Sequence, residues 1–346
     1  MFKKKNSVVG LDLGTHCMKA VEVSLEGQEP LVTGFSMVEV APDSDRSAKL
    51  AELLSAARFN TKRVVSSVAG QAVVVRYISM VQMSDAELKE AVRFESEKYL
   101  PFDPEDVVMD CQRLQNGSGE SAEGDQVPVV LVACQRGTVD SLVKDLSKNG
   151  LSPEAVDVDV FALSNCWELA SAATDMGEYS TEEVATALVE VGASRTQINV
   201  QRGGETCFSR EVGIGGSDMT KAIARRLGLD FDEAEALKCD PGERDLEVRR
   251  AIGPVLEDLV SELGLSLDFV ENREGVRVER VLLSGGGALA PGCIEFVEQA
   301  TGRTATTWNP LDAVQVDSDR VDLERLESFA SSLAVAIGLA TREVTR

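Results

Sequence analysis

Apolar and polar positions along the chain switch between a period near two and one near 3.6, and the switches mark its elements. Residues 8–13 (VVGLDL) are short, apolar and β-branched, which predicts a buried strand, and residues 20–23 begin a second. Residues 31–40 continue the early strands. Residues 48–57 put Leu50, Leu53 and Leu54 on one helical face. Residues 64–69 and 72–78 predict two more strands around a Gly70-Gln71 turn, so the first 80 residues are expected to hold a small sheet with one helix. Ser84 is placed to cap a helix, with Asp85 and Glu87 in its first turn; the helix is expected to run to about Tyr99 and stop before Pro101. Strands are predicted at 107–113 and 127–133, on either side of a polar, Gly/Ser-rich stretch at 116–125 that reads as a hairpin loop or disordered tip. A helix at 138–149 closes on Gly150, and a strand at 155–160 leads into a helix at 161–172. The α-β-β-α-β order over 84–160 predicts a small inserted α/β module.

A second half begins near Ala185. The strand 187–191, the turn Gly192-Ala193-Ser194-Arg195 and the strand 196–200 repeat the pattern of the opening hairpin, with Glu190 standing where Asp12 stood. The strand 208–212 passes through Gly213, Gly215 and Gly216 into a helix at 217–227. That N-terminus is expected to offer free N–H groups to an anion. Residues 232–238 are helical, and 249–269 read as a long amphipathic helix interrupted by glycines. The buried strand 278–283 runs into Ser284-Gly285-Gly286-Gly287-Ala288, followed by helices at 294–301 and 329–339.

The chemistry suggested by this layout centres on the two hairpins. Gly14 permits a tight turn, whose successive N–H groups form an anion nest, and Lys19 would add positive charge beside it. Asp12 ends the first strand and suits a hydrated divalent cation, since Mg²⁺ keeps several waters and takes oxygen ligands. Two such hairpins would grip a polyphosphate and its metal from both sides; an ordinary Gly-containing hairpin with an acid at its mouth fits the same residues. Glu235 and Lys238, three apart, make either a surface ion pair or a contact to ribose hydroxyls. The three glycines after Ser284 leave either an open surface for a base or phosphate, or a flexible turn.

Composition narrows the field. The 346 residues suggest two or more domains, and 43 % hydrophobic against 27 % charged residues supports large packed cores. A net charge of −23 argues against non-specific nucleic-acid binding, and Lys3-Lys4-Lys5 read as a solvated terminus rather than a lipid contact. Seven dispersed cysteines without a CxxC pair fit reduced thiols in a cytoplasm-like compartment. With His16 the only histidine, a His-based metal site or catalytic triad is excluded. Met1 leads quickly into a strand, so no secretory leader is expected, and the apolar stretch 333–340 falls short of the roughly 20 residues that span a bilayer.

In their order along the chain these signals resemble the actin-like ATPase superfamily of actin, sugar kinases and the heat-shock chaperone ATPase. Asp12, Gly14, Thr15 and Lys19 match its first phosphate hairpin, and Glu190, Gly192 and Ser194 the second. Leu283-Ser284-Gly285-Gly286-Gly287 resembles the adenosine motif, and Glu235 with Lys238 the nucleoside contact. Residues 91–102 (AVRFESEKYLPF) look like the helix-to-Pro-Phe signature of the PilM family of type IV pilus assembly. Residues 130–134 (VLVAC), 150–153 (GLSP), 156–159 (VDVD) and 210–216 (REVGIGG) resemble PilM too; the cell-division protein FtsA has a related insertion.

The resemblance implies an α/β, two-lobed actin-like ATPase fold of ribonuclease H-like type with an FtsA/PilM-type inserted module. The expected divisions are a first-lobe core at 1–80, the inserted module at 81–160, a return to the first lobe at 161–184, a second lobe at 185–330 with a helical subdomain at 228–275, and a C-terminal helix at 331–346. It implies ATP held by the residues named above together with Gly215 and Gly216, and Mg²⁺ held through water by Asp12 and Glu190. It implies assembly rather than metabolism: a scaffold peripheral to the inner membrane that binds the N-terminal cytoplasmic peptide of a bitopic PilN-like protein. Other pilus-platform and motor proteins, and a second copy of the chain, are admitted as further contacts. One departure bears on mechanism. The family's second-hairpin acid is Asp, and the extra methylene of Glu190 displaces its carboxylate by about 1 Å, so hydrolysis is expected to be slow or absent, with Glu190 the only candidate catalytic group. A small-molecule kinase of the same fold is the first alternative, though no sugar-kinase signature is found. An FtsA-like filament protein is the second, against which the residues up to Arg346 show no amphipathic membrane helix.

Overall fold

The computed structural model describes residues 7–27, 29–114, 126–173 and 184–344. The predicted loop at 116–125 and the lysines at 3–5 lie outside the described residues. The first sheet is built outward from β1 (Ser7–Leu13), which pairs antiparallel with β2 (Cys17–Ser24) and parallel with β4 (Arg63–Val68). β3 (Leu31–Glu39) joins β2 antiparallel, and β8 (Ser152–Val158) joins β4 in parallel. A two-residue strand, β14 (Gln315–Val316), extends the β3 edge. β1 is mostly apolar rather than alternating because both faces are covered. Leu11 packs with Leu50 and Leu53 of α1 (Arg46–Ser55), while Val8 packs with Leu339 from the other side.

The second sheet repeats the plan. β9 (Val184–Val191), β10 (Thr196–Arg202) and β11 (Glu205–Val212) form an antiparallel meander, and β12 (Arg277–Ser284) and β13 (Thr304–Thr307) add in parallel beside β9. The order β11-β10-β9-β12-β13 thus mirrors β3-β2-β1-β4-β8. Two helices run between the lobes: α4 (Asp159–Ala173) and α10 (Ala334–Thr341). They pack with Val21 and Val23 of the first sheet and Leu188 and Leu282 of the second. Every residue of α10 is buried, so it is apolar all round. Gly338 lies where any Cβ would strike the Ala162 carbonyl, so only glycine lets the two helices approach this closely.

Three expectations need correction. β5 (Val73–Val81), expected in the first-lobe sheet, instead pairs with β7 (Gln126–Gln135), which pairs with β6 (Val107–Arg113) in a separate three-stranded antiparallel sheet. The strand at 155–160, expected to close the inserted module, is β8 of the first sheet. Periodicity identified these strands, but their partners lie far off in sequence. The helix at 249–269 is an unbroken 30-residue α7 (Asp245–Glu274) that runs through Gly253, Pro254 and Gly264. Its buried stripe of Val248, Ile252, Leu256, Leu259, Leu263, Leu267 and Val270 outweighs a propensity cost of about 1 kcal/mol per glycine and about 3 for proline.

In the module, α2 (Asp85–Glu95) opens on a capping box in which Ser84 and Glu87 satisfy each other's backbone N–H, and it passes into a 3₁₀ turn at Ser96–Lys98 before Pro101. α3 (Arg136–Lys148) follows β7, and Gly150 just beyond it is left-handed, φ 75°. Around the second sheet stand α5 (Gly216–Leu227), α6 (Phe231–Cys239) and α8 (Cys293–Thr301); a short α9 (Leu323–Ser328) precedes α10. Among the described residues, no helix is long and apolar enough to cross a membrane.

Candidate functional site

The two hairpin turns face each other across a cavity of about 570 Å³ between the lobes. Antiparallel register places Asp12 directly opposite Lys19 on β1 and β2. Lys19 is therefore a strand residue rather than part of the turn, and its ammonium lies 2.8 Å from Asp12 Oδ2, both side chains nearly buried. On the other hairpin the same register puts Glu190 opposite Gln197. The turn between them closes with Gly192 N–H donating to the Arg195 carbonyl at 2.9 Å. The tips meet: Thr15 Oγ1 donates to Ser194 Oγ at 3.0 Å, joining residues 179 positions apart.

Of the residues singled out from sequence, all line the cavity except Gly215, Gly285 and, within the adenosine-like motif, Leu283 and Ser284. Both excluded glycines lie behind it. Gly215 packs against the Ala193–Arg195 turn. Gly285, at φ 87°, leaves no room for a Cβ, which would meet the Val191 carbonyl and sit 2.9 Å from Glu190 Oε1. The expected anion site at the start of α5 is not free. Gly216 N–H donates to the Gly192 carbonyl at 2.9 Å, Ser217 N–H to that of Ala193 at 2.8 Å, and Gly215 N–H to Asp218 Oδ2 at 3.1 Å. These bonds spend the helix's first donors on bracing the second turn.

Glu235 and Lys238 form no surface pair. Lys238 is only 7 % exposed and donates to the Gly216 carbonyl at 3.1 Å, Thr220 Oγ1 at 2.8 Å and Glu235 Oε2 at 2.7 Å. All three ammonium protons are used, two of them in tying α6 to α5 and the third on Glu235 of α6 itself. Burial works to raise the Glu235 carboxyl, but hydrogen bonds from Lys238 and Thr220 and the Lys238 charge hold it below the ordinary range.

Among the lining residues that were not legible as site residues are Asp159, Gln197, Arg46 and Arg195. Asp159 opens α4 on the cavity floor, and Gln197 sits buried beside Glu190 with Oε1 lacking a hydrogen-bond partner among the described residues. Arg46 Nη2 donates to the carbonyls of Leu13 at 2.8 Å and Gly14 at 3.1 Å, and Arg195 flanks the second turn. For Asp159 the available signal was an acid directly after an apolar strand, at a helix start.

Asp12, Asp159 and Glu190 thus share one cavity, where each feels the others' charge. Burial pushes the Glu190 carboxyl up to about 8; Lys19 opposes this while Asp12 and Asp159 reinforce it. Burial and the Asp12 charge push Asp159 up to about 7, against a hydrogen bond from Ser67. For Lys19 burial favours the neutral amine, but the charge and hydrogen bond of Asp12 prevail and raise its pKa. Among the described residues no three His, Cys, Asp or Glu side chains come together closely enough to hold a metal ion directly.

The duplicated sheets, the turns meeting between them and the inserted three-stranded module define an actin-like ATPase fold of two lobes. A family model described as type IV pilus assembly protein PilM matches residues 10–344. The chain belongs to that family. Its structure is similar to the solved PilM–PilN type IV pilus biogenesis complex, with 31 % identity, 97 % of this chain and 98 % of that chain covered, and a TM-score of 0.83. Sequence relatives include cell division protein FtsA of Escherichia coli strain K12, 25 % identical over 221 residues. The match takes in 55 % of this chain, and spans half the length of that relative. The fold alone is shared with ethanolamine utilization protein EutJ from Carboxydothermus hydrogenoformans, at 17 % identity, 96 % and 89 % coverage and a TM-score of 0.52. It is shared likewise with MreB5 of Spiroplasma citri bound to AMPPNP, at 11 % identity, 99 % and 97 % coverage and a TM-score of 0.51.

Proposed function

We propose that this chain is an ATP-binding scaffold of type IV pilus assembly, which captures the N-terminal cytoplasmic peptide of a PilN-like inner-membrane protein and is held at the membrane through it. The observation that carries the nucleotide half is the pair of turns joined by Thr15 and Ser194 over a cavity floored by carboxylates. The donor set fits a magnesium-bound polyphosphate. The acids are hard oxygen donors, too dispersed to chelate a cation directly, which suits an ion held through water. The unpartnered Gln197 Oε1 offers an acceptor to such water. Asp12 and Glu190 would hold the hydrated cation, and the turn N–H groups at Gly14–Thr15 and Ala193–Ser194 the phosphates. The open backbone at Gly286, with Leu289 and Phe329 on the cavity wall, would take the base, and Glu235 the ribose. Bound magnesium would supply charge neutralisation and orient the phosphate oxygens. Glu190, one methylene longer than Asp, reaches past the position from which a carboxylate directs water, so turnover is slow or absent.

The likeness over nearly the whole chain to a PilM solved with PilN supports the partner. The inserted module adds Phe94 of α2, 90 % exposed, the most exposed large apolar side chain among the described residues. The test is fluorescence anisotropy of a labelled peptide copying the cytoplasmic N-terminus of the PilN-like protein encoded with this chain. Saturable binding is expected, with no binding of a sequence-scrambled control. An anisotropy that stays flat to saturating protein, or equal binding of the control, overturns the scaffold reading.

A further inference from the structure

Four cationic side chains line the cavity, and they are not equally committed. Lys19 is nearly buried on Asp12 at 2.8 Å. Lys238 spends three bonds on Gly216, Thr220 and Glu235, none longer than 3.1 Å. Arg46 holds the two carbonyls of the first turn at 2.8 and 3.1 Å. Arg195 is attached differently. Its ion pair is with Glu211 of β11 at 3.4 Å, and the two side chains are 30 % and 32 % exposed.

Position makes this looser attachment meaningful. Arg195 directly follows Ser194 at the tip of the second hairpin, on the wall it shares with Asp159 and Glu190. Its guanidinium crosses the cleft and lies against Gly70, where a Cβ would fall 2.7 Å from Nη1. Gly70 is the joint between β4 of the first sheet and β5 of the inserted module. Glu211 Oε2 also accepts the Gly70 N–H at 3.0 Å, so one carboxylate oxygen holds both the arginine beside the second turn and the connection into the module. A second tie, Tyr77 to Ser209 at 3.1 Å, joins β5 to β11 further along.

We propose that Arg195 is the residue that distinguishes a nucleoside triphosphate from a diphosphate, exchanging Glu211 for the terminal phosphate and thereby altering the hold of Glu211 on Gly70. This rests on the nucleotide reading above. An arginine fork matches phosphate oxygens in a bidentate fashion, and a polyanion outcompetes a single half-exposed carboxylate for it. A diphosphate lacks the group that would draw the arginine away. The inserted module then feels which nucleotide is bound through a backbone N–H rather than through a remote rearrangement, as a coupling between two distinct sites requires.

The test is calorimetric titration of the full chain with AMPPNP and with ADP, each with Mg²⁺, for wild type, Arg195→Gln and Arg195→Lys, alongside hydrogen exchange over residues 69–81. Wild type is expected to bind AMPPNP more tightly than ADP. Arg195→Gln is expected to lose about tenfold or more for AMPPNP, the scale of one charge-assisted hydrogen bond, while ADP binding stays within about twofold. Unchanged ADP affinity also certifies the variant's fold. Arg195→Lys, with charge but no fork, falls between. AMPPNP, and not ADP, speeds exchange at Gly70 in wild type but not in Arg195→Gln. Equal losses for both nucleotides, an unchanged AMPPNP affinity, or exchange indifferent to the nucleotide overturns the assignment to Arg195 and leaves nucleotide binding standing. Wild type binding neither nucleotide overturns both.

Discussion

Replacing Glu190 with Gln is expected to change how the stability of the nucleotide-free protein depends on pH. Glu190 has an ordinary value of 4.5 and is raised to about 8 in the fold, chiefly by burial. Between those values the folded carboxyl keeps a proton that the unfolded chain has released. Unfolding therefore releases that proton, and stability falls as pH rises through this window, levelling off above about 8. Each pH unit inside the window is worth at most ~1.4 kcal/mol, so the fall from about pH 6 to about pH 8 is bounded near ~2.7 kcal/mol. The carboxyl lines an open cavity, where water and counter-ions screen it, and ~1–2 kcal/mol is the working figure. At roughly 2–4 °C per kcal/mol this amounts to a few degrees of melting temperature. Differential scanning calorimetry of wild type and Glu190→Gln across that range is the assay. Between pH 6 and about pH 8.5 the wild-type melting temperature is expected to fall a few degrees further than that of the variant. Asp159, raised to about 7, acts with the same sign, so Glu190→Gln keeps part of the slope, and adding Asp159→Asn removes the rest. Parallel melting curves for wild type and Glu190→Gln would refute the buried acid cluster.

Lys19→Ala leaves Asp12 unpaired beside two other carboxyls and is expected to cost up to ~3–5 kcal/mol by denaturant titration near pH 8, and less near pH 6, where Glu190 and Asp159 hold protons. A loss independent of pH would contradict it. Gly285→Ala must strain a left-handed backbone and push on Val191 and Glu190; a loss of ~1–3 kcal/mol with weakened nucleotide binding is expected, and wild-type behaviour would show that this turn does not brace Glu190. Gly338→Val forces α10 off α4 and is expected to lower stability by ~1–3 kcal/mol or more in the same titration, whereas an unchanged midpoint would mean that the two helices tolerate separation.

Much of this was legible in local sequence. The hairpins around Gly14 and Gly192 declare themselves because a turn between apolar strands needs a small residue, and the acids at their mouths stand at fixed offsets. The Ser84–Glu87 cap and the buried strands follow from patterns within a few residues. The partner of β5 was not legible, because Val73–Val81 pairs with a strand some fifty residues away and carries nothing that marks which sheet it enters. Nor was the fate of Lys19, since strand register alone decides that it faces Asp12 rather than the turn. The start of α5 read as an open anion site because sequence shows the donors and not the Gly192 and Ala193 carbonyls that consume them. Asp159, Gln197, Arg46 and Arg195 join the cavity only through the meeting of elements from both lobes, which no spacing along the chain reveals.

The central claim is that two acid-mouthed turns from separate lobes close on one triphosphate. Calorimetric titration of the wild-type chain with ATP and Mg²⁺, set beside Asp12→Ala, tests it most directly. One saturable site per chain in the wild type, lost or weakened at least about tenfold in Asp12→Ala, is the predicted result. Heats no larger than dilution in the wild type, or equal affinity in the two proteins, would contradict it.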